Sequence, residues 1–321
     1  MKELTCVIAF INEGEELKAT LSSIRQTAGD SVDIVLVDDG SADGVDYAAM
    51  AEQYDARYTR HEQRRGSAPS KHEGVLMVQT PYFLLLDGHM RFYEQEWPEK
   101  IVERIKENER CIYCCRCRGL KSGDKAFTFG GWVNFDRKEI FAVKWLCRLA
   151  DSEGLDTVVV PCILGASYAG SVEYFKFLRG FEGLTGYGAE EEYLSIKSWM
   201  GGDGVRQIRD VVVGHRFNLS RIVGGRPKFV TSGYEVLHNR MVIAATLLPA
   251  ATAERCMNYW NVREPRYHLA AQQLASENDT VQRLSDYYAQ NFSGTFADFE
   301  NVNNKARKNE CIQITQAQQA E

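Results

Sequence analysis

A ligand site at the end of a buried strand is predicted by the segment Pro81-Tyr82-Phe83-Leu84-Leu85-Leu86-Asp87-Gly88-His89-Met90. Its five consecutive apolar or aromatic residues are typical of a strand covered on both faces, as in a parallel sheet, although so short a run also fits a buried helix. The proline before the run and the glycine after it favour the strand. Ligands of open α/β sheets bind beyond the carboxyl ends of the strands, so we expect Asp87 and His89 at the rim of a site.

Asp87 and His89 form an incomplete metal site, so a third ligand must come from elsewhere in the chain or from a substrate. Residues two apart in an extended segment point the same way, and Gly88 lets a ligand approach the backbone. Of the six histidines, His215 also follows an apolar strand that ends in glycine, Val211–Gly214. The alternative is that Asp87 caps the next helix and His89 is a packed turn residue. The other histidines lie in polar or helix-like contexts: His61, His72, His238 and His268.

The composition indicates a globular protein with enough apolar residues for a large core. The chain has 321 residues, 44% of them hydrophobic, and a formal net charge of -6, which provides no global attraction to nucleic acid or anionic membranes. No stretch approaches the roughly 18 apolar residues needed to span a bilayer. The N-terminus runs straight into a predicted strand rather than a signal peptide. We therefore expect a cytoplasmic protein without a transmembrane segment.

Nine cysteines, an odd number without the spacing of a disulfide framework, suit a reducing compartment. Four of them cluster between Cys111 and Cys117, where a Cys-x-x-Cys pair could begin a zinc site. No second pair follows at zinc-finger spacing, and cysteine is also a common small buried residue. The cluster is therefore interpreted as a buried strand, with structural zinc as the alternative.

Strands and helices alternate along the first half, which predicts an α/β fold. The predicted strands cover Leu4–Phe10, Asp33–Val37, an edge strand at Ala56–Arg60, Thr157–Val160 and the segments already named. One predicted helix carries Leu17, Leu21 and Ile24 at helical spacing. Further helices are predicted over Asp43–Tyr54, over a segment that ends at Val78, over Glu94–Asn108, from Ser171 after a turn at Leu164–Ser167, over Tyr193–Met200, and over most of the chain from Tyr234 onward. The last twenty residues are polar enough to fray.

Two further segments could carry chemistry. The basic, glycine-containing entry to a helix, Arg64–Lys71, could hold phosphate on free backbone N–H groups and side-chain charge, but it could equally be a solvated loop. A glycine-rich loop, Phe181–Ala189, precedes three adjacent glutamates that begin a helix. Those glutamates could act over a ligand, or could simply favour the positive end of that helix.

Chemistry-bearing residues thus follow four strand ends in order: Asn12-Glu13, Asp38-Asp39, Asp87-x-His89 and His215. Over roughly residues 4–220 this pattern resembles the GT-A glycosyltransferases, and most closely the polypeptide N-acetylgalactosaminyltransferases. The resemblance implies a GT-A fold: a Rossmann-like, mostly parallel central sheet with helices on both faces, here with a helical C-terminal extension. The segments that carry it are Val7–Glu13, Ile34–Ser41, Arg64-Arg65-Gly66, Leu84–His89, Tyr187-Gly188-Ala189-Glu190 and Val213–Phe217.

The resemblance implies a metal-dependent enzyme that uses a UDP-sugar. Asp87, His89 and His215 match the ligands of Mn²⁺ (or Mg²⁺). Phe10 and Asp39 match contacts to uridine, and Glu190 matches a residue near the transferred sugar. Arg64 or Arg65 with Lys71 match partners of the base, ribose or diphosphate. The other donor-binding residues expected from the matching segments are Asn12, Glu13, Asp38, Gly66, Gly88 and Tyr187.

Departures from the family pattern leave the donor sugar open among GalNAc, GlcNAc, Gal and Glc types. Tyr187 stands where the family motif has tryptophan, Ala189 where it has glycine, and Asn218 where an arginine would follow the last metal histidine. The metal motif resembles retaining enzymes. The alternatives are an inverting enzyme with Glu191 as the base and a catalytically silent nucleotide-sugar binding protein. A dehydrogenase is a poorer alternative because no glycine fingerprint follows a strand.

The expected domains are a catalytic domain over residues 1–228, with a nucleotide half at about 1–90 and an acceptor half at about 91–228, and a helical extension over 229–321. A bacterial surface glycan is the favoured acceptor, while protein or modified phage-type DNA remains open. The acceptor groove could be lined by Arg216, Arg221, Arg226 and Lys228, which could equally form a solvated loop.

Overall fold

A computed structural model describes residues 2–308 except 121–126, 129, 136–139, 146–154, 218–221, 224–225 and 228–230. Within these residues, no helix combines the length and the apolar character needed to cross a membrane.

The strands of the described residues include all of those predicted. They are β1 (Leu4–Phe10), β2 (Val32–Asp38), β3 (Arg57–Arg60), β4 (Tyr82–Leu86), β5 (Met90–Phe92), β6 (Ile112–Gly119), β7 (Phe127–Thr128), β8 (Gly131–Val133), β9 (Val143–Trp145), β10 (Thr157–Val159), β11 (Ser167–Ser171), β12 (Val205–His215), β13 (Ile222–Val223) and β14 (Arg226–Pro227).

The helices are distributed between the strands of the first two thirds and then follow one another without interruption. They are α1 (Glu15–Ala28), α2 (Tyr47–Gln53), α3 (Ser67–Leu76), α4 (Trp97–Glu107), α5 (Val172–Phe177), α6 (Glu190–Gly201), α7 (Glu235–Leu247), α8 (Ala250–Arg263), α9 (Tyr267–Ser276), α10 (Asn278–Asn291) and α11 (Phe296–Arg307).

The main sheet has the order β10-β12-β6-β11-β4-β1-β2-β3, with β5 paired to β12 and β7 to β6. Strands β1, β2, β3 and β4 are mutually parallel, and β6 and β12 share their direction because antiparallel β11 lies between β4 and β6. In register, Phe10 pairs with Asp38 and Ile8 with Leu86. The carboxyl ends of β1, β2, β4 and β12 therefore meet along one edge. The sheet of the described residues is therefore mixed: its parallel core agrees with the prediction, but β5, β7, β10 and β11 pair antiparallel, so it is less parallel than expected.

Strand β11 was not predicted, since the sequence indicated a turn at Leu164–Ser167 and a helix from Ser171. Its sequence, Ser-Tyr-Ala-Gly-Ser, lacks the β-branched residues typical of strands. It is nevertheless buried throughout, and a Cβ at Gly170 would lie 3.0 Å from Ile112 Cδ1, so small residues fit this central position. The helix expected from Ser171 is present, with the Ser171 hydroxyl accepting a hydrogen bond from the Tyr174 backbone N–H.

Two helices begin later than predicted. The helix expected from Asp43 begins at Tyr47, because the Asp46 carboxylate caps it by accepting from the Ala49 N–H. The helix expected from Glu94 begins at Trp97, directly before Pro98, whose fixed φ and missing N–H suit a first helical turn. Asp87 does not cap a helix, since the short strand β5 follows it.

The cysteine cluster lies in β6, as the interpretation as a buried strand predicted. The thiols of Cys111, Cys114, Cys115 and Cys117 are free and buried. Burial raises the pKa of the Cys114 thiol to about 12, so the thiolate that a metal would need is disfavoured. Among the described residues, these cysteines do not form a group of potential metal ligands.

The helices after residue 234 pack on the second half of the sheet domain. Aromatic side chains join the two parts, with Phe135 contacting Phe296 and Phe141 contacting Trp260. The Asn303 carboxamide also bonds both backbone groups of Val133, at 2.7 and 2.8 Å. Of the last twenty residues, which were expected to fray, 302–307 belong to α11 and 309–321 lie outside the described residues.

Candidate active site

A cleft of about 680 Å³ opens at the sheet edge where the parallel strands end. It is lined by residues at the strand ends, by residues of α3 and α6, and by the segment 164–166. Most of the predicted site residues line this cleft: Phe10, Glu13, Asp39, Arg64, Lys71, Asp87, His89, Tyr187, Glu190, Glu191 and His215.

Asp87, His89 and His215 come together at the base of the cleft, each with one ligand atom within 4.8 Å of the others. Asp87 Oδ2 lies 3.2 Å from His215 Nε2, and the two imidazole rings stack with centroids 4.9 Å apart. Neither ring nitrogen of His215 makes a hydrogen bond of normal geometry within the described residues. A carboxylate with two imidazoles is a donor set that suits a divalent transition metal, so these residues fit such an ion.

The charges around the cluster keep Asp87 ionised. Burial raises the pKa of this carboxyl, but His215 and the Lys71 ammonium, 4.0 Å away, outweigh burial and hold it well below its usual range. Burial likewise disfavours the charged form of Lys71, yet Tyr168 and the carboxyl groups around it raise its pKa above the ordinary value. A fixed negative ligand and a fixed cation therefore lie side by side in the cleft.

Asp39 is held rigidly in the wall formed by β2. Its Oδ1 accepts hydrogen bonds from the Arg65 backbone N–H at 2.7 Å and from His61 Nδ1 at 2.9 Å, and its Oδ2 accepts from the Gly66 N–H at 2.8 Å. Phe10 lies beside it on β1, with its ring 4.8 Å from that of Tyr47. An aromatic ring and an oriented carboxylate are suited to holding a planar ring that carries an N–H donor.

Five predicted donor-binding residues do not line the cleft: Asn12, Asp38, Arg65, Gly66 and Gly88. They shape its walls instead.

Asp38 points away from the cleft, accepting from the Ser41 N–H and the Tyr58 hydroxyl. The Asn12 side-chain amide oxygen, Oδ1, accepts from the Ala42 N–H. Adjacent residues of a strand face opposite ways, so Asp38 and Asp39 cannot both reach one ligand.

Gly88, Gly66 and Arg65 contribute backbone rather than side chains. A Cβ at Gly88 would lie 2.7 Å from Glu13 Cγ, so glycine permits the approach of Glu13, whose carboxylate lies 3.2 Å from His89 Nδ1. Gly66 lies against the backbone of Gly186 and adopts a φ of 104°. The Arg65 guanidinium pairs with Glu73 at 2.9 Å on the outer surface.

The three glutamates that begin α6 have different surroundings. Glu190 is 3% exposed and its Oε1 has no hydrogen-bond partner among the described residues. Burial and the neighbouring Glu190 raise the pKa of Glu191 to about 8, and burial raises that of Glu192 to about 7. Exposed acidic residues at a helix start would have neither the burial nor these shifts. Glu190 and Glu191 line the cleft, and Glu192 does not.

The structure assigns contacts to residues that the sequence analysis missed. His61 is buried between Asp39 and Glu73, and Trp145 contributes to the cleft wall. Arg64 lines the cleft but forms a two-point ion pair with Glu235 of α7, at 3.0 and 3.1 Å. No local pattern indicates the Arg64–Glu235 pair, because its members are 171 positions apart.

The expected basic groove is described only in part. Arg216 lines the cleft mouth and pairs with Glu16 of α1. Arg226 lies in β14. Arg221, Lys228 and the departure at Asn218 lie outside the described residues.

Comparison with known proteins agrees with this architecture. Residues 5–147 match the family model "Glycosyl transferase family 2". Polypeptide N-acetylgalactosaminyltransferase 4 of Caenorhabditis elegans is 26% identical over 229 residues, which cover 68% of this chain and 38% of that protein. Polypeptide N-acetylgalactosaminyltransferase 11 of Xenopus tropicalis is 25% identical, over 74% of this chain and 41% of that protein. The chain thus spans less than half the length of these relatives.

Solved structures share the fold. The crystal structure of GalNAc-T7 with UDP, GalNAc and Mn²⁺ superposes with a TM-score of 0.75 at 17% identity, covering 96% of this chain and 58% of that one. A mannosyltransferase from Pyrobaculum calidifontis in complex with GDP-Man and Mn²⁺ gives a TM-score of 0.50 at 14% identity, covering 96% and 88%. Its strand-end motifs, its sheet topology and the family model matched by residues 5–147 thus make this chain similar to the family 2 glycosyltransferases, and it shares the GT-A fold of the solved structures.

Proposed function

We propose that the protein transfers a sugar from a UDP-sugar to an acceptor hydroxyl in a reaction that requires a divalent cation, Mn²⁺ or Mg²⁺. The observation that carries this proposal is the convergence of Asp87, His89 and His215 at the base of the cleft, with the cationic Lys71 beside them. The solved relatives that contain Mn²⁺ with UDP or GDP-Man support the choice of ligands.

Cleavage of a sugar–phosphate bond leaves negative charge on the departing diphosphate. A bound divalent cation supplies a Lewis acid for that charge. Asp87, His89 and His215 would hold the ion, and Lys71 would add a second positive charge near the phosphates. On the other side, Asp39 would accept a hydrogen bond from uracil, and Phe10 would pack against the base. This division assigns the nucleotide to residues before about position 90.

Glu190, Glu191 and Tyr187 would face the transferred sugar and the acceptor. We favour a retaining reaction, in which the leaving phosphate takes the acceptor proton and Glu190 stabilises positive charge developing on the sugar. A base at Glu191 would give inversion instead. Since burial and Glu190 raise the pKa of Glu191 to about 8, a Glu191 base would be mainly protonated at pH 7, and turnover would rise with pH through about 8.

A donor screen tests this function. The protein with Mn²⁺ would be incubated with UDP-GalNAc, UDP-GlcNAc, UDP-Gal and UDP-Glc, and released UDP and sugar products would be measured by mass spectrometry. We expect one donor to be consumed, with at least about 100-fold loss in Asp87→Asn, because that variant lacks a charged metal ligand. The exposed Asp30→Asn is the matched control and should equal the wild type.

Each other outcome changes the proposal. Metal-dependent binding of UDP without consumption of any donor would make the protein a catalytically silent nucleotide-sugar binder. Equal turnover in Asp87→Asn and the wild type would remove the metal cluster from the mechanism. For the acceptor, a bacterial surface glycan remains our proposal, and a panel of glycan, protein and DNA acceptors with the consumed donor would decide it. NMR of the product anomer decides between retention and inversion.

A further inference from the structure

Helix α7 contacts the loop that leads to the candidate catalytic glutamates. We call residues 183–189, Gly-Leu-Thr-Gly-Tyr-Gly-Ala, the glycine loop. Its backbone has positive φ angles at Gly183, Gly186, Gly188 and Ala189, the last of which precedes Glu190 at the start of α6. Such a loop has many accessible conformations, because glycine restricts the backbone least. The position of Glu190 therefore depends on whatever holds the loop in one conformation.

The side chain of Asn239 in α7 forms hydrogen bonds with backbone groups of this loop. Its carboxamide oxygen accepts from the Thr185 N–H at 2.9 Å, and its NH₂ group donates to the carbonyl oxygens of Thr185 and Gly188, both at 2.8 Å. His238 Nδ1 lies 3.2 Å from the same carboxamide oxygen. Asn239 is fully buried, and these contacts use the whole hydrogen-bonding capacity of its side chain. One side chain thus bridges two points of the loop that are three residues apart.

The first turn of α7 adds steric contacts to these hydrogen bonds. A Cβ at Gly188 would lie 2.7 Å from the Val236 side chain, and one at Gly186 would collide with the Glu235 carboxylate. Glu235 also pairs with Arg64 across the cleft wall. From the other side, the Gly186 N–H donates to the Arg65 carbonyl oxygen at 3.2 Å. The glycine loop is therefore enclosed between α7 and the Arg64–Gly66 segment.

None of the described residues of α7 lines the cleft, so this helix can act on a ligand only through residues that do, such as those of the glycine loop and Arg64, which pairs with Glu235. Ordinary helix packing accounts for the apolar residues of α7, such as Leu237 and Val242. It does not account for the buried carboxamide of Asn239, which bonds the backbone of the glycine loop and the adjacent His238. Buried polar groups with every hydrogen bond made specify one conformation of their surroundings.

We infer that Asn239 is a positioning residue for the glycosyl transfer proposed above: it fixes the glycine loop so that Tyr187, Glu190 and Glu191 face the donor sugar. The inference rests on the proposed function and extends it to the helical C-terminal region, which the sequence analysis treated as an appendage. In this arrangement α7 is required for turnover, whereas the nucleotide and its cation are held by residues at the carboxyl ends of β1, β2, β4 and β12 and by Lys71 of α3.

The variant Asn239→Asp tests the inference, because it keeps the size and the acceptor oxygen but removes both N–H donors and places a carboxylate against two carbonyl oxygens. We expect kcat to fall by about 10- to 100-fold, the range for a misplaced catalytic group, while the affinity for UDP with Mn²⁺ changes by less than about threefold. Amide hydrogen exchange of residues 183–189 should become faster. The exposed Asn258→Asp on α8 is the matched control and should leave all three quantities unchanged.

A double-mutant cycle separates positioning from general loss of structure. If Asn239 acts through Glu190, the combined Asn239→Asp and Glu190→Gln variant should lose much less than the product of the two single losses. Full multiplicativity, or a kcat in Asn239→Asp equal to that of the wild type, would overturn the inference.

Two further results keep the test decisive. If Asn239→Asp does not fold, Asn239→Ser, whose hydroxyl cannot bridge Thr185 and Gly188, is expected to show the same loss of kcat with nucleotide affinity retained, and an unchanged kcat there would overturn the inference. If the wild type consumes no donor, the proposed function fails instead. Unchanged exchange of residues 183–189 in the variant would then reject Asn239 as the residue that holds the loop.

Discussion

Two clusters of histidine and carboxylate lie near one sheet edge and differ in how their nitrogens are used. His61 is 7% exposed and bonds carboxylates through both ring nitrogens, with Asp39 at 2.9 Å and Glu73 at 3.0 Å. His215 lies beside Asp87, yet neither of its nitrogens makes a hydrogen bond of normal geometry among the described residues. A ring bonded at both nitrogens has no lone pair for a metal, so the first cluster supports the wall and the second can bind an ion.

This difference also explains what the sequence could reveal. His215 stands out because it ends an apolar strand, and Asp87 likewise follows one. His61 follows a polar, partly exposed edge strand and has no such signal. The importance of His61 comes from Asp39, 22 positions away, and from Glu73 on the next helix. Spacing alone therefore indicates a ligand but not a residue that orients one.

Replacing His215 should have the largest effect. In His215→Ala the affinity for UDP in the presence of Mn²⁺ should fall by at least about 100-fold, because loss of a direct ligand exceeds the usual cost of losing an outer contact. Calorimetric titration of UDP with and without Mn²⁺ measures it, and His89→Ala should lose a similar amount. Retained metal-dependent affinity in His215→Ala would remove this residue from the site.

Replacing His61 should instead lower stability. His61→Leu removes the buried imidazole that Asp39 and Glu73 share, which costs about 1–3 kcal/mol in the free energy of unfolding. Asp39 keeps its two backbone donors, so metal-dependent UDP affinity should fall by less than about tenfold. Urea denaturation and the same calorimetry measure both quantities. A loss of UDP affinity equal to that of His215→Ala would show that the two clusters do not differ in function.

Replacing Glu191 should change how the stability of the protein depends on pH. Burial and Glu190 raise the pKa of Glu191 above its ordinary value to about 8, so folding opposes its ionisation and the wild type loses stability as pH rises from about 4.5 to 8. Glu191→Gln lacks this group. Its melting temperature should match the wild type at pH 4.5 and exceed it by roughly 4–8 °C at pH 8. A difference that is constant with pH would contradict the raised pKa.

Replacing Arg65 should have the smallest effect. Its guanidinium is 59% exposed and pairs with Glu73 at the surface, and pairs of this kind contribute roughly 0–1 kcal/mol. Arg65→Ala should change UDP affinity by less than about twofold, because Asp39 receives the Arg65 backbone N–H, which the substitution retains. A tenfold loss of affinity would show that the side chain reaches the nucleotide.

The sequence predicted the parallel core well, because β1, β2 and β4 are mainly apolar runs followed by polar residues at one edge. It did not predict β11, because small residues fit a strand that is buried between two others but have a low propensity for strands. Nor could it indicate that Asn239 contacts the glycine loop or that Glu235 pairs with Arg64. Asn239 lies 54 and 51 positions from the backbone groups that it bonds, and Glu235 lies 171 positions from Arg64. Local sequence patterns thus predict strands and the residues at their ends, whereas the residues that position a site become visible only in the tertiary structure.

The most direct test of the account is the position of the cation. Crystals grown with UDP and Mn²⁺ would be measured at the manganese absorption edge, where anomalous scattering locates the ion independently of the protein atoms. We predict one anomalous peak within bonding distance of Asp87, His89 and His215, with the UDP diphosphate completing its coordination and His61 remaining bonded to Asp39 and Glu73. A peak elsewhere in the cleft, or UDP bound with no manganese at these three residues, would contradict the account.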